Sequence, residues 1–135
     1  MDAFDSDALI YAASEGHPLG ERVRPLLLSA EPKVGSALLV PEILIKPTRL
    51  GVEAEVGDLV DLLARLDLVA CDEAVARVAT ILGAKYGLRA ADAVHLATAV
   101  ITGADRFITN NRKDFSLDIE EVLVTYPQDL PEVPT

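Results

Sequence analysis

Apolar residues recur at a helical spacing in six segments of the chain, and short β-branched or apolar runs separate these segments. The clearest helical segment is AADAVHLATAVIT, which starts at Ala90 and is followed by Gly103, a residue typical of the position after a helix. The predicted helices occupy residues 6–13, 19–29, 41–46, 53–66, 73–86 and 90–102, and the predicted strands residues 3–5, 33–40, 67–70, 106–109 and 119–124. Strands that alternate with helices indicate an α/β domain with a mainly parallel sheet.

The domain organisation follows from length and from the C-terminal composition. A chain of 135 residues that is 50% hydrophobic is long enough to bury about two-thirds of its unfolded surface in one core. We therefore predict a single domain over residues 1–126. The remaining residues, 127–135, are rich in proline, and we expect them to be extended or disordered.

The segment 41–66 contains two features that bear on partner binding. Pro47 predicts a kink or a helix end near Lys46, unless the helix restarts after it. Residues 53–66 form an amphipathic pattern with a solvated acidic face. Two helices joined near Gly51 would make a hairpin that projects from the sheet, and we predict that this hairpin, with Leu59 on its contact face, binds a partner.

Cysteine usage and hydropathy bound the cellular setting. Cys71 is the one cysteine, so an internal disulfide is impossible, and no Cys/His spacing suggests zinc. The first residues, MDAFDSD, carry acids where a signal peptide carries bases, and no apolar run reaches the ~18 residues that spanning requires. We expect a soluble, cytoplasmic protein with no membrane segment.

The formal charge of −10 argues against broad, nonspecific attraction to nucleic acid. Positive charge collects in two places, at Lys46 with Arg49 and at Arg106 with Arg112 and Lys113. Because both places are close in sequence to polar residues at element ends, they predict a local basic rim. Ordinary solvated surface charge is the alternative for each of these side chains.

Four polar residues fall at predicted strand ends or helix starts, where the ligand crevice of an open parallel sheet forms: Asp5, Glu42, Asp92 and Asn111. An acid that ends a buried strand, as Asp5 does, must be paired, hydrated or bound to a cation. Glu42 and Asp92 could instead serve the dipoles of their helices, and we assign a capping role to at least one of Ser6 and Asp7. Three converging carboxylates repel unless a cation neutralises them, and oxygen ligands favour Mg²⁺ or Mn²⁺, which could activate water at a phosphodiester.

The motifs FDSDALIYA, the PE of LVPEIL, LRAADAVHLATA and GADRFITNNRKDF together resemble those of PIN-domain proteins, particularly VapC-type toxins of bacterial toxin–antitoxin systems. The resemblance covers almost the whole chain in the same order. It implies a three-layer α/β/α sandwich with a mainly parallel sheet of four to five strands. It also implies a metal-dependent endoribonuclease that is neutralised by a VapB-like antitoxin and is usually a homodimer.

The resemblance also implies roles for individual residues. Asp5, Glu42 and Asp92 are similar in position to three acids that bind the metal, directly or through water. The family often has an acid where this chain has Asn111, whose neutral side chain removes one charge from the predicted metal site. The predicted substrate-binding residues are Ser6, Thr109, Arg112 and Lys46. Asp114 is the nearest spare acid and is ranked below Asn111, and His95 is interpreted as a core or rim histidine rather than a general base.

Two other classes of function are compatible with parts of the sequence. Asp5 and Asp7 form the DxD of a haloacid-dehalogenase-type phosphatase, although Ala8 and Leu9 stand where that family has a small Gly-Thr pair. A PIN fold that only docks RNA or a protein, without catalysis, is the second alternative. The RNA target is not readable from the sequence, because RNA recognition depends largely on shape.

Overall fold

The computed structural model describes residues 1–132, in which five short strands form one sheet. The strands are β1 (Asp2–Phe4), β2 (Lys33–Ser36), β3 (Asp67–Val69), β4 (Arg106–Ile108) and β5 (Leu123–Thr125). The sheet order is β3-β2-β1-β4-β5, and every pair of neighbours is parallel. The predicted parallel sheet is therefore confirmed, with β1 at its centre.

Helices cover both faces of this sheet. They are α1 (Ser6–Ala13), α2 (Pro18–Leu28), α3 (Leu39–Arg49), α4 (Glu53–Leu63), α5 (Glu73–Tyr86) and α6 (Ala90–Ile101). Successive strand side chains point to opposite faces, so Ala3 and Phe107 pack with α5 and α6, whereas Phe4 and Ile108 pack with α1 to α4. Two hydrophobic cores result, and the three-layer α/β/α sandwich is confirmed.

The strand predicted over residues 33–40 ends earlier, at Ser36. The Ser36 hydroxyl oxygen accepts a hydrogen bond from the Leu38 backbone amide (3.1 Å). Helix α3 then begins at Leu39 rather than at Pro41. A Cβ on Gly35 would lie 2.5 Å from the Leu39 side chain. The chain therefore turns back sharply over its own strand, which a glycine permits.

Pro47 does not end α3. The helix continues to Arg49, and the Pro47 ring is buried, so apolar contact offsets the backbone hydrogen bond that proline cannot donate. A turn at Gly51, with φ +69°, then leads into α4. The hairpin is present, but Leu59 lies in the core at 1% exposure, so the predicted contact face is wrong. The outer surface of the hairpin exposes Ile45, Leu50, Val52 and Val60 instead.

The C-terminal segment is ordered further than its composition predicts. Pro127–Asp129 form a 3-10 helix, and Leu130 is buried beside helix α2. Nη1 of Arg22 donates to the carbonyl oxygen of Gln128 at 2.6 Å and to that of Leu130 at 3.2 Å. The extended or disordered tail is thus wrong for residues 127–130, and residues 133–135 of that prediction lie outside the described part of the chain.

Within residues 1–132, no helix is both long and apolar enough to cross a membrane.

Candidate active site

Asp5 lies at the carboxyl end of β1 and is almost completely buried. Its Oδ1 accepts a hydrogen bond from the Ser6 amide, and its Oδ2 accepts one from the Thr109 hydroxyl, both at 2.8 Å. Asp5 is therefore itself the N-cap of α1, and the capping role predicted for Ser6 or Asp7 is wrong. Thr109 follows the neighbouring strand β4, so the parallel pairing of β1 with β4 brings the two side chains together.

Burial raises the pKa of Asp5 above its ordinary value. The nearby His95 and the hydrogen bonds from Thr109 and Ser6 oppose this rise without cancelling it, while the charge of Glu42 adds to it. An ionised Asp5 is consequently costly in the isolated chain, and a bound cation would relieve that cost.

Asp7 belongs to the same site, which sequence reasoning missed. Its Oδ2 accepts from the Asn110 amide at 3.0 Å, and its Oδ1 is buried with no hydrogen-bond partner in residues 1–132. Burial, followed by the charge of Asp5 and with a smaller contribution from Asp92, raises the pKa of Asp7 to about 7. The signal available in the sequence was an acid in the first helical turn two residues after another acid.

Glu42 lies in the first turn of α3 and reaches across to helix α6. Its Oε1 is 2.5 Å from Nε2 of His95, and this hydrogen bond lowers the pKa of Glu42 against the opposing effect of burial. The Ser6 hydroxyl acts in the same direction. Burial is the largest influence on His95 and would lower its pKa, but the hydrogen bond that Nε2 donates to Glu42 and the charges of Asp5, Glu42 and Asp92 together raise it.

Asp92 lies in the first turn of α6, as predicted from the sequence pattern, and is half-buried. Burial raises its pKa, and the charges of Asp5, Asp114 and, more weakly, Glu42 raise it further. The acids that the sequence singled out thus come from three separate segments and lie close enough to affect one another's ionisation. The structure does not place the three acids on separate surfaces, an arrangement that would contradict a shared site.

Asn111 is joined to Asp114 by two hydrogen bonds. Its Nδ2 donates to Asp114 Oδ2 at 3.0 Å, and its Oδ1 accepts from the Asp114 amide at 3.2 Å. The backbone amide of Asn111 also donates a hydrogen bond to the Thr109 hydroxyl oxygen at 3.1 Å. A carboxylate is therefore held next to the neutral residue, and its charge contributes to the raised pKa of Asp92.

The residues of the predicted basic rim do not all lie at the same end of the sheet. Arg112 is exposed and held in place: its Nη2 donates to Oε1 of Gln128 at 3.0 Å, and its guanidinium lies 4.3 Å from the centre of the Tyr126 ring. Lys46 is exposed on α3, four residues after Glu42 and so on the same face of the helix. Arg106 is at the amino end of β4, where it binds Asp2, so its inclusion in the rim is wrong.

The donor set fits a hard divalent cation. Within residues 1–132, no three acidic, histidine or cysteine side chains stand close enough to form a complete cage by themselves. Mg²⁺ does not need one, since it usually keeps several waters and binds one or two carboxylates together with substrate phosphates. The unpartnered Oδ1 of Asp7 and the raised pKa values of Asp5 and Asp92 mark oxygens that a cation would stabilise.

Comparison with known proteins agrees with this architecture. Residues 3–117 match the PIN domain, and the chain belongs to the PIN domain family. Its fold is similar to that of a toxin–antitoxin complex from Klebsiella pneumoniae (23% identity, 94% of this chain and 98% of that chain covered, TM-score 0.75). No curated protein matches the chain significantly.

Two further solved structures have the same fold. One is VapBC from Salmonella typhimurium bound to DNA, with 17% identity, 93% of this chain and 97% of that chain covered, and a TM-score of 0.75. The other is VapBC2 from Rickettsia felis bound to a DNA fragment from its promoter, with 16% identity, the same coverage and a TM-score of 0.74.

Membership of the PIN domain family argues against the phosphatase alternative, in which Asp5 would be the nucleophile.

Proposed function

We propose that this chain is a VapC-like toxin, a metal-dependent endoribonuclease that hydrolyses RNA phosphodiester bonds with Mg²⁺ or Mn²⁺. The observation that carries the proposal is a group of carboxylates at the carboxyl edge of a PIN-domain sheet, centred on the buried Asp5. No lysine or arginine of residues 1–132 forms an ion pair with Asp5, Asp7 or Asp92. Such a group favours a cation from solution.

The roles of the side chains follow from their contacts. Asp5, Glu42 and Asp92 would hold the metal, which when bound supplies an activated water and stabilises charge on the phosphate. Thr109 orients Asp5 through its hydroxyl. Asn111 and Thr109 support the edge of the site, and Asn111 keeps Asp114 beside it.

RNA binding would rely on the rim. Arg112 is fixed by Tyr126 and Gln128 and therefore loses little freedom when it binds a phosphate. Lys46, one helical turn after Glu42 on α3, and the Ser6 hydroxyl beside the Glu42 carboxylate complete the predicted phosphate contacts. Because the chain as a whole carries −10, these contacts would select RNA locally rather than attract it broadly.

The partners that we propose are a VapB-like antitoxin and a second copy of the chain. The similar structure from Klebsiella is a toxin–antitoxin complex, and those from Salmonella and Rickettsia are VapBC and VapBC2 bound to DNA. A basic antitoxin segment laid over the acidic site would be electrostatically complementary. The exposed apolar side chains of the α3–α4 hairpin, Ile45, Leu50, Val52 and Val60, offer a contact surface for a homodimer or for the antitoxin.

The decisive experiment is cleavage of total RNA by the purified chain with Mg²⁺, with Mn²⁺ and with EDTA. We expect cleavage with either metal and none with EDTA, and we expect Asp5→Asn and Asp92→Asn to abolish it and to relieve toxicity in cells. Asp67→Asn is the matched control, because Asp67 is an exposed acid at the amino end of β3.

Three results would contradict the proposal. Full cleavage by Asp5→Asn or Asp92→Asn would exclude the acidic site as the catalytic centre, and equal cleavage with EDTA would exclude metal dependence. RNA that is bound but never cut would instead support the noncatalytic PIN module.

A further inference from the structure

His95 contacts one acid of the site, Glu42, and follows another, Asp92, on its own helix without belonging to the proposed metal ligands. It lies one helical turn after Asp92 on α6, and its Nε2 is 2.5 Å from Oε1 of Glu42 on α3. We propose that His95 is a positioning residue that holds the Glu42 carboxylate at the metal site. This inference rests on the proposed function, in which Glu42 is a metal ligand.

Glu42 needs such support because little else fixes it. Its side chain is 32% exposed, and a glutamate has several rotamers that would point into solvent. The N-cap residue of α3, Leu38, supplies no side-chain hydrogen bond to the helix start. His95 is the opposite case: its side chain is 1% exposed and is locked by the core packing of α6. The rigid imidazole of His95 therefore holds the flexible Glu42 carboxylate in one position.

The polar contacts of the ring favour a role at the site over a purely structural one. Buried polar side chains in a core are normally satisfied by hydrogen bonds. Nδ1 of His95 is buried and has no hydrogen-bond partner in residues 1–132. The side-chain hydrogen bond that the ring does make, through Nε2, goes to Glu42, an acid of the site. A carboxylate accepts only when Nε2 carries the hydrogen, which fixes the tautomer in this contact.

Two substitutions at this position separate the hydrogen bond from the volume of the ring. The side-chain nitrogen of glutamine reaches the place of Nε2, whereas the nitrogen of asparagine reaches only that of Nδ1. We expect His95→Asn to weaken Mn²⁺ binding by about 10-fold or more, as loss of a group that orients a ligand does. We expect His95→Gln to stay within about threefold of the natural chain on the same grounds. Mn²⁺ affinity is measured by titration of the full chain, with thermal unfolding as the check on folding.

A spectroscopic measurement tests the contact even if His95→Asn does not fold. The chain has two histidines, so each imidazole can be followed by ¹⁵N NMR. We expect Glu42→Gln to shift the Nε2 resonance of His95 and to leave His17 unchanged. His17 is a suitable reference because its Nδ1 accepts from the Leu19 and Gly20 amides at 3.2 Å, at the start of α2.

The outcomes distinguish this proposal from the function on which it rests. Equal Mn²⁺ affinity in the natural chain and His95→Asn, or a His95 resonance that ignores Glu42→Gln, would overturn the positioning role alone. A natural chain that binds Mn²⁺ but cuts no RNA would overturn the nuclease function. Loss of Mn²⁺ binding in His95→Asn with recovery in His95→Gln would support the positioning role.

Discussion

The two ends of the paired strands β1 and β4 both carry acidic side chains, but within residues 1–132 an arginine pairs with an acid only at the amino end. At the amino end, Asp2 accepts two hydrogen bonds from the Arg106 guanidinium, each 2.9 Å long. At the carboxyl end, Asp5 is buried among Asp7, Asp92 and Glu42, with the imidazole of His95 as the nearby basic group.

This difference indicates a structural role for the acid at the amino end and a binding role for the acids at the carboxyl end. A paired acid at a strand end stabilises the sheet and needs nothing further. A group of unpaired acids lowers the stability of the isolated chain, because each charge is desolvated and repelled by the others. Such a cost is typical of a binding site, where a ligand supplies the missing charge.

Asp5→Asn should give the largest effect and should move stability and activity in opposite directions. We expect RNA cleavage to fall on the order of 1,000-fold, since a charged group that stabilises the reaction is lost. We expect the free energy of unfolding in EDTA at pH 7 to rise, because burial raises the pKa of Asp5 and the ionised form is costly. Chemical denaturation and a cleavage assay measure the two effects. A variant that is both less stable and fully active would contradict a binding role for the acids at the carboxyl end.

Asp7→Asn should remove a pH dependence of stability. The pKa of Asp7 is about 7 in the folded chain and ordinary in the unfolded chain, so the folded state holds the extra proton between about pH 4 and pH 7. Stability should therefore fall as pH rises through this window and level off above it, by an amount on the order of 4 kcal/mol. Urea unfolding of both proteins in EDTA measures the difference, and identical pH profiles would show that Asp7 does not titrate in this way.

Thr109→Val should test the support of Asp5. The substitution removes the hydroxyl that donates to Asp5 and accepts from the Asn111 amide, so two buried polar groups lose a partner. We expect destabilisation of about 2 kcal/mol. Thr98→Val is the matched control, because Thr98 is equally buried and its hydroxyl only bonds back to the carbonyl oxygen of Val94 in its own helix. Equal losses in the two variants, measured by urea unfolding, would show that the Asp5 contact is not special.

Asp2→Asn should give the smallest effect and leave cleavage unchanged. The pair with Arg106 is partly exposed, which limits its contribution to stability to about 1 kcal/mol. Thermal unfolding measures this loss, and the cleavage assay should give the rate of the natural chain. A strong fall in cleavage would show that the amino end of the sheet also takes part in function.

Much of the fold was predictable because local patterns decide it. Helical periodicity and turn residues located all six helices and all five strands, although Ser36, Pro47 and Leu123 show that element ends depend on packing and on single hydrogen bonds. The order of elements was sufficient to predict parallel pairing. The C-terminal segment was misjudged because the buried contact of Leu130 and the hydrogen bonds of Arg22 depend on chain more than 100 residues away.

The candidate site was only partly predictable. Asp5, Glu42 and Asp92 stand out in the sequence because each follows a strand or starts a helix. Asp7 is predicted from the sequence to be a helix cap and Asp114 to be a spare acid below Asn111, so neither is predicted to belong to the metal site. Their inclusion depends on the Asn110 amide and on the Asn111 side chain, which the fold places beside them.

The sequence by itself determined which segments become helices and strands, since these preferences act over a few neighbouring positions. Tertiary structure decided which polar groups meet: Thr109 reaches Asp5 across 104 residues, and His95 reaches Glu42 across 53. These contacts exist because β1 lies between β2 and β4, so that the loops after three strands share one edge. Their ionisation was decided there as well, because burial and neighbouring charge are properties of the folded chain.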